Sequence, residues 1–362
     1  MYVDADGHVM EPHDVWVGRM DDKRWGSAGF DPEELLSRSW KYTEGHPAAW
    51  DPIERVRMLD EEGIDATVLY PSLALTFGPL DPIEAVRDPQ FVAAMHRAYN
   101  DWMGEFCATA PTRLFAAAPV PLQDIDLAIA EARHAVVDLG AKAIMMRSAA
   151  YVDELPFSHR VYDPFWATCQ ELGVPVGFHP ATHTDLPNAA RLFKLIRQSA
   201  DMAVANKVSD DVVGGTAMSI AIGAPVDAIV TLGRLIMGGV CERFPELRLL
   251  ILESGGGWAA SILERMDEEL HANPQESRWL KLTPSEYFRR QCWISFEPND
   301  PTLPRLADLI GTDRILWASD FAHSDAVYPG TVKALDACIA PLDAAVQDQI
   351  RGGNAIDAYR LM

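Results

Sequence analysis

The sequence lacks several features that would each define a class of protein. Its five cysteines are widely spaced and form no Cys-x-x-Cys pair, which argues against a disulfide framework and predicts reduced thiols, mostly in the core. Apolar runs in the sequence all fall short of the roughly 20 residues that span a membrane. The first residues also lack the basic and then apolar layout of a signal peptide, so we expect a cytoplasmic protein.

Basic residues are scarce relative to acidic ones. The chain has 31 Lys and Arg against 53 Asp and Glu, which gives a formal net charge of -22. A protein of this charge has no basic excess with which to neutralise phosphates, so nucleic acid and anionic membranes are not expected partners. Apolar residues make up 48% of the 362 residues, which is typical of a soluble globular protein and argues against long disordered segments.

Short β-rich runs alternate with helical patterns along the chain. One helix is predicted from Asp51, a candidate N-cap followed by Pro52, to Glu62, before Gly63. The eight β-rich runs are 2–9, 66–70, 114–120, 143–147, 174–179, 247–253, 292–297 and 315–320. Eight βα units are the number that closes a TIM (β/α)8 barrel. A doubly wound sheet would show a glycine-rich loop after its first strand, where Gly7 stands alone.

Two segments exceed what a minimal barrel needs. They cover about residues 17–50 and 182–233, and each follows a strand that ends in a candidate metal ligand. Loops after barrel strands emerge on the catalytic face, where they act as lids or as contacts between subunits. We therefore expect a single barrel domain over residues 1–362 with two insertions, and a homo-oligomer.

Candidate metal ligands lie at the ends of three predicted strands. Asp6 and His8 are two positions apart, so on a β-strand they point to the same face. His179 ends the fifth run and Asp320 ends the eighth. Because all strands of a barrel end at one rim, these side chains can share one ion. Carboxylates and imidazoles suit one divalent cation such as Zn²⁺ or Mn²⁺, although an isolated strand-end Asp or His is more often a cap or a core residue.

Five longer motifs accompany these residues, in segments 4–12, 173–179, 244–249, 252–258 and 317–325. Taken together, they resemble the amidohydrolase superfamily, in the branch of aminocarboxymuconate-semialdehyde decarboxylase and gamma-resorcylate decarboxylase. The resemblance covers nearly the whole chain and implies that one divalent metal is bound by Asp6, His8, His179 and Asp320. Much of the family has His-x-His on the first strand, whereas Asp6 takes the first place here, as in the acidic-x-His variant of the resorcylate decarboxylases.

The chain departs from this family pattern at the end of the sixth strand. Decarboxylases of the branch usually have a histidine there, and this chain has Glu253. Glu253 is therefore a candidate acid or base, or alternatively an ion-pair partner of Arg147. His323, three residues after Asp320, is a second candidate for proton transfer, or else a loop histidine packed against the rim. Asp320 itself would ligate the metal or handle a proton.

Two further strand ends carry candidate substrate-binding residues. Arg147 ends the fourth strand and could hold a substrate carboxylate in a bidentate pair or form a structural ion pair. Glu297 ends the seventh strand and would face the site. The resemblance and the Asp6/His8 pair favour non-oxidative decarboxylation of a small aromatic or enoic acid. The absent sixth-strand histidine leaves open a metal-dependent hydrolase of an ester, lactone or amide. A metal-binding paralogue without catalytic activity is the third interpretation.

Overall fold

Eight parallel β-strands form one sheet in the computed structural model, in the order in which they occur along the chain. The strands are β1 Val3–His8, β2 Ala66–Tyr70, β3 Leu114–Pro119, β4 Ala143–Met146, β5 Val176–Phe178, β6 Leu249–Ile251, β7 Cys292–Phe296 and β8 Ile315–Trp317. The structure describes residues 1–12, 14–20, 45–76, 88–148, 152–153, 155–180, 219–276, 278–323 and 326–361.

The sheet curls until its last strand meets its first. The amide of Asp320 donates to the carbonyl of Asp6 at 3.1 Å, and the amide of His8 donates to the carbonyl of Phe321 at 2.5 Å. These bonds join the carboxyl ends of β8 and β1, where the candidate ligands lie. The predicted TIM barrel is therefore confirmed.

Helices connect the strands. They are α1 Asp14–Val17, α2 Pro52–Glu62, α3 Pro89–Ala108, α4 Ile125–Arg133, α5 Asp163–Leu172, α6 Ala224–Ile236, α7 Val240–Arg243, α8 Trp258–Ala272, α9 Pro284–Gln291, α10 Leu303–Ile310, α11 Thr331–Ile339, α12 Ala344–Asp348 and α13 Asn354–Tyr359. Short 3-10 turns occur at Pro47–Ala49, Ala74–Thr76, Arg160–Tyr162 and Thr312–Arg314, and π turns at His134–Asp138, Ser219–Gly223 and Gln349–Gly353. Within the described residues, no helix combines the length and the apolar character needed to cross a membrane.

Helix α2 shows how local sequence sets these boundaries. The side chain of Asp51 accepts hydrogen bonds from the amides of Ile53 and Glu54 at 2.8 and 3.1 Å. Pro52 occupies the first helical turn, where no amide hydrogen is needed. Gly63 ends the helix with φ +77°, a conformation that only glycine adopts at little cost. The predicted helix is confirmed at both ends.

Successive side chains of each strand point to opposite faces of the sheet, which gives two apolar cores. One fills the barrel interior and includes Val3, Ala5, Val68 and Tyr70. The other lies between the sheet and the surrounding helices. A closed barrel packed on both faces buries its strands almost completely, so polar side chains remain only at the rim and in specific networks.

All five cysteines are free thiols, as predicted. Cys169, Cys241 and Cys292 are buried, and Cys107 and Cys338 are half-buried. Most of the two predicted insertions, including Trp25 and Trp40, lies outside the described residues. Their role on the catalytic face and the single-domain organisation stay predictions.

Candidate metal centre

The first strand contains a β-bulge that aims its polar side chains. Asp4 pairs with Thr67 but Gly7 pairs with Leu69, so three steps along β1 match two along β2. The extra residue reverses the alternation, and bulges commonly re-aim side chains beside active sites. Asp4 points outward and accepts a hydrogen bond from the Thr67 hydroxyl, whereas Asp6 and His8 point into the barrel mouth.

The four predicted ligands converge there. His8 Nε2 lies 3.5 Å from Asp6 Oδ1 and 3.6 Å from Asp320 Oδ1. His179 Nε2 lies 3.1 Å from His8 Nε2 and 3.5 Å from Asp6 Oδ2. Asp6, His8 and His179 are each about 99% buried or more, so these atoms meet away from bulk water. The structure brings these side chains together, and their role as metal ligands stays a prediction.

Hydrogen bonds fix the tautomers of both histidines. Nδ1 of His8 donates to the carbonyl of Pro71 at 3.0 Å, and Nδ1 of His179 donates to the carbonyl of Pro180 at 2.7 Å. In the neutral rings, each Nε2 therefore carries a lone pair, and the two lone pairs face each other. Two acceptors at this distance need a cation between them, and backbone-anchored imidazoles are the usual arrangement of metal-binding histidines.

The electrostatics of the cluster also call for added positive charge. Burial raises the pKa of Asp6 well above its usual value, and the carboxylates of Glu253 and Asp320 raise it further. Burial lowers the pKa of His8 far below its usual value, so this ring is neutral. For His179, burial lowers the pKa, but Asp6 and Glu253 outweigh that effect and raise it to about 9. Without a metal, His179 supplies the missing positive charge by holding a proton.

Asp6 shows that the residues present fit a metal ion. Its Oδ1 is buried and has no hydrogen-bond partner among the described residues. A buried carboxylate oxygen without a donor is costly, and a divalent cation bound by Asp6, His8, His179 and Asp320 would satisfy it. Two carboxylates and two imidazoles form a donor set typical of Zn²⁺ or Mn²⁺.

Metal binding should become tighter as the pH rises. The pKa of His179 is raised to about 9 in the metal-free protein, so below that pH the metal displaces a proton from Nε2. We expect about one proton released per metal bound near neutral pH, and a Kd that falls about tenfold per pH unit up to about 9. Calorimetry in buffers of different ionisation enthalpy measures both quantities. An affinity independent of pH between about 6.5 and 8.5 would contradict this linkage.

A hydrogen-bonded chain leads away from Asp320. His323 Nδ1 donates to Asp320 Oδ1 at 2.7 Å, and its Nε2 lies 3.0 Å from the hydroxyl of Ser72. Ser72 is held because the buried Glu11 carboxylate accepts the amides of Ser72, Leu73 and Ala74. Burial lowers the pKa of His323, but the Asp320 carboxylate outweighs it and raises the pKa to about 9. Asp320 and His323 therefore share a proton beside the metal site, and Ser72 is a contact that the sequence did not reveal.

A second network fixes the join between β1 and β8. Asp4 accepts the amide and the hydroxyl of Ser319 at 2.8 and 2.7 Å, which holds the residue before Asp320. The buried Arg55 donates from Nη2 to the carbonyl of His8 and from Nε to the carbonyl of Ala48. The sequence pattern reveals neither positioning residue, since strict alternation would put Asp4 on the same face as Asp6 and nothing local pairs Arg55 with the carbonyl of His8.

Gly7 lies between these networks and leaves no room for a side chain. A Cβ at this position would come within 2.8 Å of both Asp4 Oδ2 and Thr67 Oγ1. We expect Gly7→Ala to lower the free energy of unfolding by about 1–3 kcal/mol, because buried polar atoms must move apart. Gly233→Ala is the control, since a Cβ there meets nothing within 4 Å and it lies within α6. Urea denaturation compares the two; equal stability of Gly7→Ala and wild type would refute the steric argument.

A cavity of 340 Å³ opens onto the centre. Its lining includes Asp6, Glu253, Glu297, Asp320, Phe296, Ile220, Pro225 and Val327. Glu297 is exposed and faces the cavity, as expected from its strand end. Arg147 is not among the described residues that line it; it is buried at the end of β4, with Nη1 3.4 Å from the carbonyl of Leu75. The substrate-binding role of Arg147 stays a prediction.

Glu253 contacts the histidine of the fifth strand. Its Oε2 lies 2.9 Å from His179 Nε2 and 4.0 Å from His8 Nε2. Burial raises the pKa of Glu253, but His179 outweighs it and the net shift is downward, so this carboxyl group is ionised. Of the two interpretations of Glu253, an ion pair with Arg147 and a functional acid or base, this contact supports a place in the centre itself.

Known proteins similar to this chain include decarboxylases and an amidohydrolase. The chain is 26% identical over 313 residues to gamma-resorcylate decarboxylase of Polaromonas sp. strain JS666, covering 82% of each chain. An amidohydrolase from Mycobacterium avium subsp. paratuberculosis K-10 has a similar structure, with a TM-score of 0.75 and 23% identity over 99% of this chain and 98% of that one. A dihydroxybenzoic acid decarboxylase from Polaromonas sp. JS666 was solved with manganese and the inhibitor 2-nitroresorcinol. Its structure matches with a TM-score of 0.66 and 23% sequence identity, over 99% of this chain and 97% of that one.

The family assignment rests on a match that spans almost the entire sequence. The profile described as Amidohydrolase matches residues 3–361, a range that includes every strand of the barrel and all the residues that converge at its mouth. The resemblance inferred from the motifs is thereby confirmed, and the chain belongs to the amidohydrolase family.

Proposed function

We propose that this protein is a metal-dependent decarboxylase of a small aromatic or enoic carboxylic acid. The observation that carries the proposal is the cluster of Asp6, His8 and His179, with Asp320 beside His8, at a small cavity that Asp6 and Asp320 line. His323 donates a hydrogen bond to Asp320 next to this cluster. The relatives support the reaction type, because one is named gamma-resorcylate decarboxylase and another dihydroxybenzoic acid decarboxylase.

The cavity suits a small organic acid. Its volume of 340 Å³ accommodates a single substituted ring, and Phe296, Pro225 and Val327 contribute apolar surface to its wall. The bound cation would supply positive charge for oxygen atoms of the substrate. Glu297, at the exposed end of β7, is the proposed polar contact on the other side of the ring.

Decarboxylation breaks the bond between the carboxyl carbon and the neighbouring carbon of the substrate. Carbon dioxide leaves, the electron pair remains on the substrate carbon, and that carbon must take up a proton. The Asp320–His323 pair holds a proton between Oδ1 and Nδ1 at 2.7 Å and borders the cavity through Asp320. We assign proton delivery to this pair, with Ser72 orienting the imidazole through Nε2.

Manganese is the proposed metal. Support comes from the manganese in the related decarboxylase structure, and the two carboxylates and two imidazoles of the proposed site are compatible with this ion. Cytoplasmic location and a homo-oligomeric state remain predictions from the sequence.

Product analysis tests the reaction type. The metal-loaded protein is incubated with a panel of carboxyl-labelled benzoic and enoic acids, and with matching esters, lactones and amides. We expect labelled carbon dioxide from at least one hydroxylated aromatic acid. Metal-dependent cleavage of the esters, lactones or amides, with no carbon dioxide from any acid, would replace the decarboxylase with a hydrolase. Bound metal without turnover on either set would indicate a non-catalytic paralogue.

A further inference from the structure

The Glu253 carboxylate has the spacing of a metal ligand. Two ligands held about 2.1 Å from one ion at angles of about 90–110° lie about 3.0–3.4 Å apart. Glu253 Oε2 is 2.9 Å from His179 Nε2 and 4.0 Å from His8 Nε2, which brackets that range. One donor atom from each of His8, Glu253, Asp320 and His323 also lies within 4.8 Å of the others. Glu253 is thus part of the same donor cluster and not a neighbour of it.

The contact between Glu253 and His179 requires a proton or a metal ion between the two atoms. Because Nδ1 of His179 donates to the Pro180 carbonyl, the neutral ring presents a lone pair at Nε2. Glu253 Oε2 also presents only lone pairs. A proton satisfies this one contact, but the neighbouring contact between His8 Nε2 and His179 Nε2 at 3.1 Å needs a cation as well. A single metal ion satisfies both at once.

The backbone holds Glu253 in this place. Its φ is +39°, a left-handed conformation that is unfavourable for a residue with a side chain. Its amide donates to the hydroxyl of Ser295 on β7 at 3.1 Å, which anchors the turn after β6. Such conformations persist where surrounding contacts enforce them, and they concentrate at functional sites.

We propose that Glu253 is a fifth protein ligand of the metal, and that the resulting three carboxylates and two imidazoles select a five- or six-coordinate cation such as Mn²⁺ over tetrahedral Zn²⁺. The inference rests on the metal site of the proposed function. Five protein ligands exceed the four positions that tetrahedral zinc offers. Carboxylate oxygens are the donors that suit manganese.

Metal affinity of matched variants tests this ligand. Glu253→Gln keeps the size of the side chain and removes its charge, and Glu297→Gln makes the same change at another carboxylate that lines the cavity. Free Mn²⁺ is measured by its electron paramagnetic resonance signal, and Zn²⁺ by competition with a chromophoric chelator. We expect Glu253→Gln to raise the Kd for Mn²⁺ by about 10²-fold and that for Zn²⁺ by less. Glu297→Gln should bind both metals as wild type does.

The Kd for Mn²⁺ decides whether Glu253 is a metal ligand or acts only in proton transfer. A Kd for Mn²⁺ in Glu253→Gln within about threefold of wild type overturns the proposal, even if turnover falls, because Glu253 then acts only in proton transfer. Wild-type protein that binds neither metal refutes the metal site itself, which is a separate failure. If the variant does not fold, the structure of Mn²⁺-loaded wild type decides: an oxygen of Glu253 within about 2.3 Å of the ion supports the ligand, and one beyond about 3 Å refutes it.

Discussion

Replacement of His179 by alanine is expected to leave the purified protein without its metal. His179 Nε2 lies within 3.5 Å of donor atoms on His8, Asp6 and Glu253, so its loss opens the centre of the cluster. Loss of one ligand should weaken binding by more than about 10²-fold, because even residues that only support ligands contribute 10- to 100-fold. Elemental analysis after dialysis should find about one divalent ion per wild-type chain and almost none in the variant.

A surface histidine provides the control for that experiment. His134 lies in the helical connection between β3 and β4, where it forms ion pairs with Asp101 and Asp138 and contacts none of the proposed ligands. His134→Ala should keep the full metal content, which separates a specific loss from general damage. Full metal occupancy in His179→Ala would mean that the assigned ligand set is wrong.

Replacement of His323 by asparagine is expected to stop proton transfer while the metal stays bound. The asparagine amide can still donate to Asp320 as Nδ1 does now at 2.7 Å, but it cannot exchange a proton with it. We expect kcat to fall on the order of 10²-fold or more on a confirmed substrate. Metal content should match wild type, because the imidazole of His323 is occupied by Asp320 and Ser72.

Ser72→Ala is the companion to that variant. It removes the hydroxyl that orients Nε2 of His323 but leaves the imidazole in place, so its effect on kcat should be smaller. The pH profile distinguishes the roles: His323→Asn should lose one limb of the profile, and Ser72→Ala should only shift it. Wild-type turnover in His323→Asn would return this histidine to a structural role.

The sequence predicted the barrel and the meeting of four side chains because both depend on simple regularities. Strand ends of a barrel share one rim, so the side chains of Asp6, His8, His179 and Asp320 could be expected to lie near one another from their positions alone. Their role as metal ligands stays a prediction. Helix N-caps such as Asp51 can also be predicted, because the capping side chain and its helix are adjacent in sequence.

Contacts that depend on irregular backbone could not be predicted in this way. The bulge in β1 turns Asp4 away from Asp6, and alternation gives no sign of it. Glu253 contacts His179 while its own backbone is in the left-handed conformation, which no propensity favours for glutamate. Ser72 and His323 are separated by 251 positions and meet only because Glu11 orders the loop after β2.

Metal-dependent decarboxylation is tested most directly with one carboxyl-labelled hydroxybenzoic acid. The release of labelled carbon dioxide is measured before the metal is removed, after its removal, and after its return. We predict that the Mn²⁺-loaded protein releases labelled carbon dioxide, that release stops after treatment with a chelator, and that it recovers when Mn²⁺ is restored. Release that continues at the same rate in the protein shown to be free of metal would contradict it.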